Sequence, residues 1–271
     1  MGITLSLLKR ERPFAVYMSQ RAKRILPAYY LVMVPYTLAL TLCGRARLSA
    51  VFWNAVLLYY WENPQGKFNW YIAAIMVFYL IAPFIIKMMR SSVHKEFVAL
   101  LVAVFGIALT MLLILDNDFL HLDLSMRIPI FGIGCLIGCY IYEQRGFFIK
   151  DALFWTGMFA MGLVYYRYYS HSPIYLPLCF LFIFTTVPVC LLISHLFAIA
   201  NVPHIRSFLI MIGTASLEIY LLNVSLFSEH AFVMRLLGGI DGNGYAALSF
   251  ALNILLGVLL HQAMKQISAG K

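Results

Sequence analysis

Three observations predict an all-α, polytopic membrane protein. Of the 271 residues, 63% are hydrophobic and only 11% are charged, against roughly half and a quarter in a soluble domain. The apolar residues come in runs long enough to cross a hydrocarbon layer of about 30 Å. The charges gather in short clusters between those runs rather than on one polar surface, which argues against a nucleic-acid partner despite a net charge of +9. A lipid bilayer is the expected surrounding.

The first run covers 25–42 and is opened by Arg21-Ala-Lys-Arg24-Ile-Leu-Pro-Ala-Tyr-Tyr30. Cations at the mouth of a spanning helix favour the cytoplasmic side. Residues 49–61 form a shorter aromatic run, suited to a re-entrant or interfacial segment. Full-length runs follow at 69–86, 97–115, 127–142, 151–169, 175–199, 208–228 and 246–263. Together these predict about eight spans.

Loop charge orients the spans. Lys87, Arg90 and Lys95 mark a cytoplasmic loop, and Asp116, Asp118 and Asp123 an external one. Arg145 with Lys150, then Arg206, then Lys265 with Lys271 fall inside in turn. The alternation holds only if 49–61 does not cross. Both termini are then cytoplasmic, and 61–69, 168–173 and 229–244 are external, with Arg45 and Arg47 as external cations against the trend. No linker or repeat divides the chain, so 1–271 reads as a single helical domain. Met1 to Ser19 lacks the apolar core of a cleavable signal peptide.

Polar groups at membrane depth are the functional candidates, because each is costly to bury unless it pairs or faces a cavity. Glu218 lies midway through the 208–228 run, within Met211-Ile-Gly-Thr-Ala-Ser-Leu-Glu-Ile-Tyr-Leu-Leu-Asn223. On a helix, Ser216, Tyr220 and Asn223 share a polar stripe and Glu218 is turned away from it. A buried glutamate there acts as a general base or proton carrier, or pairs with an arginine of a neighbouring helix. His195 and His261, toward the cytoplasmic ends of their spans, read as hydrogen-bonded structural histidines. His121, His171 and His230 fall on or beside external loops, where imidazole is solvated. Tyr165, Tyr166, Tyr168 and Tyr169, near Arg167, suit an interfacial belt or stacking on sugar rings.

Arg127 opens its run from the external side and either snorkels or joins a site. Beyond it, Gly134 and Gly138 make a small-residue face for a second helix. The five cysteines, Cys43, Cys135, Cys139, Cys179 and Cys190, lie in or beside apolar runs as packing thiols. Cys135 and Cys139 are spaced for one helix face, but no histidine or acid beside them completes a metal site.

Four segments occur in one order: Arg21 to Tyr30, Asn69-Trp-Tyr-Ile to Phe78-Tyr-Leu-Ile-Ala-Pro83, Arg127-Ile-Pro-Ile-Phe-Gly-Ile-Gly134, and Gly213-Thr-Ala-Ser-Leu-Glu-Ile-Tyr-Leu-Leu-Asn223. Together, and over nearly the whole chain, they resemble the membrane acyltransferase-3 family. The resemblance implies an O-acyltransferase of a bacterial inner membrane. It would move an acyl group, typically acetyl, from a cytoplasmic CoA thioester to a hydroxyl of a cell-surface or exported glycan, with acetyl-CoA as co-substrate and no bound cofactor.

On that resemblance Arg21 and Arg24 grip the donor, and the chemistry suits them. Arginine forks bind phosphate bidentately, and an i, i+3 spacing puts both on one helix face. Trp70, Tyr71 and Arg127 are expected on the acceptor side, and Glu218, Tyr220 and Asn223 in the bundle interior. The family's catalytic histidine belongs to a first helix, and Met1-Gly-Ile-Thr4 looks like the tail of the second, so the resemblance places that histidine upstream of Met1. Two departures stand out: Asn223 replaces the histidine of many relatives, and the Trp70 span lacks the glutamate of some branches. A transporter or flippase for a surface polymer would share the helices and basic loops, though no internal repeat supports it. An inactive fragment of an acyltransferase is a third expectation.

Overall fold

A computed structural model of the chain describes residues 2–9, 13–62, 70–116, 118, 121–144, 149–169, 176–200, 203–227 and 242–269. Every regular element among them is helical: α1 (Gly2–Lys9), α2 (Phe14–Leu42), α3 (Leu48–Ala55), α4 (Tyr59–Glu62), α5 (Trp70–Ser91), α6 (Lys95–Leu115), α7 (Leu122–Ser125), α8 (Ile128–Tyr142), α9 (Ile149–Tyr169), α10 (Leu176–Ala200), α11 (Pro203–Thr214), α12 (Ser216–Leu222), a π-turn (Asn223–Phe227) and α13 (Gly242–Ala269).

Among the described residues five segments are long and apolar enough to cross a membrane: Phe14–Leu42, Trp70–Ser91, Lys95–Leu115, Leu122–Tyr142 and Ala247–Gln266. A sixth is formed if α11 and the helix after it, bent by 58°, make one span. The protein is an integral membrane protein of helical class. The other two runs of the sequence count of about eight form α9, 21 residues with Lys150, Asp151 and Arg167, and α10, 25 residues without a charge.

The residues group into two compact units. The first comprises Met1–Met18 and Trp70–Ala200, the second Ser19–Asn69 and Asn201–Lys271. In the first, α6 and α8 run antiparallel in close contact. A side chain on Gly106 would collide with Pro129 and Ile128 at 2.6 and 2.8 Å, and one on Gly132 with Val102 at 2.8 Å. The expected small-residue face is real, but its close contacts fall at Gly132, and at Gly138 against Thr4 of α1. Gly134 is half-buried. At one end of the α6–α8 pair, Lys95 bridges to Glu143 and Tyr140 bonds to Glu96. Toward the other, the Thr110 hydroxyl donates to Ser125 Oγ of α7 at 3.0 Å. Cys135 and Cys139 are buried free thiols in the core with Ala82, Ile86 and Met89.

In α2 the helix begins at Phe14, well ahead of the apolar run at 25, because Gln20, Arg21, Lys23 and Arg24 are good helix formers. Hydropathy marks the part of a helix that lipid surrounds, not its length. The 29 residues rise through Pro27 and Pro35 for about 44 Å. The helix ends in a Schellman turn: Gly44 N–H donates to Thr41 O and Arg45 N–H to Leu40 O, at 3.0 and 2.8 Å. Gly44 adopts φ 71°, a conformation that only glycine takes without strain.

The short aromatic run forms α3 and α4, of eight and four residues, interrupted at Leu57. At 1.5 Å per residue α3 extends about 12 Å and cannot cross. In the second unit it is pinned to α2 by Asn54, which is fully buried. Asn54 Oδ1 accepts from Tyr29 Oη at 3.1 Å, and Asn54 Nδ2 donates to Thr37 Oγ1 at 3.1 Å.

Candidate functional site

Glu218 sits in α12, a seven-residue helix between two backbone irregularities. Before it, at Ala215, the chain bends by 58°. Gly213 and Thr214 are poor helix formers, and the Thr214 hydroxyl donates to Met211 O at 2.9 Å. After it comes the π-turn Asn223–Phe227, a geometry frequent at functional sites. Within the described residues Glu218 is only 6% exposed.

The partner of Glu218 is a histidine rather than the arginine considered from sequence. His261 Nδ1 of α13 lies 3.1 Å from Glu218 Oε1. The two helices touch one turn away, where a side chain on Gly257 would meet Ile219 Cγ1 at 2.3 Å and its backbone at 2.9 Å. Glycine is required there by the contact itself. Asn253, Gly257 and His261 recur every four residues and share a face of α13. Two acceptors in this unit lack a donor among the described residues: Glu218 Oε2 and, two turns along α13 from His261, Asn253 Oδ1, both in side chains at least nine-tenths buried. The expected stripe of Ser216, Tyr220 and Asn223 lies the other way. Ser216 and Asn223 are exposed and Tyr220 is half-buried, because packing against α13 turns Glu218 inward.

Arg21 and Arg24 both lie on α2, three residues apart. Arg21 is half-buried and Arg24 exposed, with Lys23 exposed between them. Also in this unit, a cavity of about 360 Å³ is lined by Gly44, Arg45, Arg47, Ser49 and Tyr59. Burial raises the Tyr59 phenol above its ordinary pKa.

In the other unit Arg127 is held as part of an aromatic cluster. Its guanidinium carbon lies 4.0 Å from the Trp70 ring centre and 4.8 Å from that of Phe182. Its Nη1 donates to Asp123 O at 2.7 Å and approaches Asp123 Oδ1 at 3.5 Å. Tyr71, half-buried, packs edge-on to Trp70. Phe182 was not singled out from sequence, since only its place over Arg127 distinguishes it from other phenylalanines of an apolar run. His121 pairs with Asp118, so it is not merely solvated.

Arg145, His171 and His230 lie outside the described residues, as do 63–69, 170–175 and 228–241, which carry most of the expected external loops. The same holds for the His195 side chain. Among the described residues no three His, Cys, Asp or Glu side chains converge as metal ligands.

Two comparisons return nothing: no curated protein and no solved structure matches the chain. A third matches residues 2–262, almost the whole chain, to the model of a family described as an acyltransferase domain. The apolar, membrane-length helices accord with that match. The chain belongs to the acyltransferase-3 family of membrane acyltransferases.

Proposed function

We propose that this membrane acyltransferase moves an acyl group, acetyl in the simplest case, from a cytoplasmic CoA thioester to a hydroxyl of a cell-surface or exported glycan. One observation carries the reading: in a chain of this family, Arg21 and Arg24 stand three residues apart on a helix that continues directly into an apolar span. Their side chains share a face, and guanidinium forks suit the phosphates of a CoA donor. The membrane is proposed to be a bacterial inner membrane, with the Arg21 end of α2 and both chain ends on the cytoplasmic side, a reading supported by the balance of loop charges.

Acceptor recognition is assigned to Trp70, Tyr71 and Arg127. A flat aromatic surface stacks on sugar rings, and a guanidinium fixed over it binds hydroxyl or carboxylate groups. The reaction joins the acceptor hydroxyl oxygen to the thioester carbonyl carbon and releases the thiol. The test is transfer of labelled acetyl from acetyl-CoA to extracted glycan by membranes carrying the protein. Arg21→Ala with Arg24→Ala should raise KM for the donor by tenfold or more, since a hydrogen bond to a charged group contributes about 1.5–3 kcal/mol. Unchanged donor KM in that variant would remove the donor assignment.

A further inference from the structure

Two local rules are broken together at the start of α3. Arg47 is its N-cap and no side chain caps that end, although Ser, Thr, Asp and Asn are preferred there and the positive end of a helix disfavours a cation. Arg45 and Arg47 also follow the end of α2 remote from Arg21 and Arg24, on the face where the loop charges place few cations. Among the described residues neither guanidinium pairs with a carboxylate. Two cations and a helix N-terminus therefore meet without a negative charge, and such conflicts are expected at functional sites.

The space between these groups is held open by defined bonds. The Schellman turn at Gly44 fixes where the chain leaves α2, the Thr41 hydroxyl lies 3.5 Å from Arg47 O, and Asn54 ties α3 back to α2. Arg45, Arg47 and Ser49 are thereby set around the cavity of about 360 Å³, which Ala50 and the buried Tyr59 also line. That volume is at the small end of ligand pockets, about 300–1,000 Å³, and suits a phosphate with the group that carries it. Guanidinium forks bind phosphate bidentately, and an uncapped helix start adds N–H donors. A CoA donor held at Arg21 and Arg24 does not supply this anion. From Arg24 to Leu42 α2 rises about 27 Å, nearly the thickness of the hydrocarbon core.

The surroundings identify what carries the phosphate. Leu42, Leu48 and Phe52, close in sequence to the arginines, are 80%, 72% and 60% exposed, and Trp53 packs edge-on to Phe52. Apolar side chains of this kind contact acyl chains, and tryptophan marks the headgroup layer. A soluble phosphate offers nothing to that apolar surface, whereas a phospholipid covers it with its chains. We propose that the cavity at Arg45 and Arg47 binds the phosphate headgroup of an anionic phospholipid, in the leaflet opposite the Arg21 end of α2. The bound lipid neutralises the two arginines and the start of α3, and its chains lie on Leu42, Leu48 and Phe52. The inference is independent of the acyl-transfer reading.

The test counts lipid retained by the purified full chain in non-ionic detergent, by native mass spectrometry during titration with phosphatidylglycerol or phosphatidylcholine. Wild type should keep one phosphatidylglycerol and bind phosphatidylcholine about tenfold or more weakly. Equal affinity for the two lipids would overturn the proposal without any substitution. Arg45→Gln with Arg47→Gln removes the charge and keeps much of the side-chain length; it should weaken phosphatidylglycerol binding by about tenfold or more. Lys87→Gln with Arg206→Gln removes two exposed cations elsewhere and should leave binding within about twofold of wild type. Unchanged affinity in the first double variant, or an equal loss in the second, would overturn the site. Displacement of the lipid by an equal concentration of soluble glycerol phosphate would assign the cavity to a free phosphate and overturn the lipid.

Discussion

Gly257→Ala probes the contact that sets the Glu218 and His261 pair. A Cβ at this position would lie 2.3 Å from Ile219 Cγ1 and 2.9 Å from its Cα and N, where ordinary contact begins at 3.4 Å. The Cγ1 clash can be relieved by rotation of the isoleucine, but the backbone clash cannot. The helices must separate by about 0.5 Å to restore contact distance, and applied to the 3.1 Å pair this gives about 3.6 Å, beyond a hydrogen bond. Overpacking of this kind costs about 1–3 kcal/mol, which is a drop of about 5- to 150-fold in the ratio of folded to unfolded protein. Gly157 and Gly213 provide the controls, since nothing lies within 4 Å of a Cβ built on either. There alanine should be neutral or stabilise the helix by up to about 1 kcal/mol. Unfolding of the purified protein in micelles, followed by circular dichroism against denaturant, measures all three. Adding Ile219→Ala should recover only part of the Gly257→Ala loss, because the backbone contact stays. Equal midpoints for Gly257→Ala and Gly213→Ala would refute the packing argument.

Two further substitutions test other parts of the structure. Asn54→Ala should destabilise the protein by about 1–3 kcal/mol, because it removes two buried side-chain hydrogen bonds worth about 0.5–1.5 kcal/mol each, from Tyr29 and to Thr37, while Tyr29 keeps its bond to the residue 54 carbonyl and Thr37 its bond to Met33 O; its denaturation midpoint should fall, and an unchanged midpoint would show that α3 is not anchored there. Arg127→Ala removes a guanidinium stacked between Trp70 and Phe182, each contact being worth about 0.5–2 kcal/mol. Acceptor KM should rise with donor KM unchanged, and the reverse pattern in steady-state transfer would move Arg127 to the donor side.

Features written in local periodicity were legible from sequence. The helical class, the basic stretch at the start of a span, and the non-crossing run at 49–61 all follow from composition and run length. Pairings between distant segments were not. Glu218 and His261 are 43 residues apart, and a glutamate in an apolar helix announces a partner without naming it; the structure supplies a histidine where an arginine was equally plausible. The direction of the polar stripe was also out of reach, because Ser216, Tyr220 and Asn223 could line an interior as well as face outward until α13 took the Glu218 side. A closer reading of Asn253, Gly257 and His261 would have helped, since a four-residue repeat of polar and small residues in an apolar span marks a helix contact. Hydropathy alone likewise missed the helical turns of α2 ahead of residue 25.

The central claim is acyl transfer from a CoA thioester to a glycan hydroxyl. Its most direct measurement follows labelled acetyl from acetyl-CoA into glycan, in membranes with and without the protein and with Arg21→Ala plus Arg24→Ala. The account predicts protein-dependent, alkali-labile ester on the glycan, lost at low donor concentration in the double variant. Glycan that crosses the membrane without gaining label, or label that is independent of the protein, would contradict it.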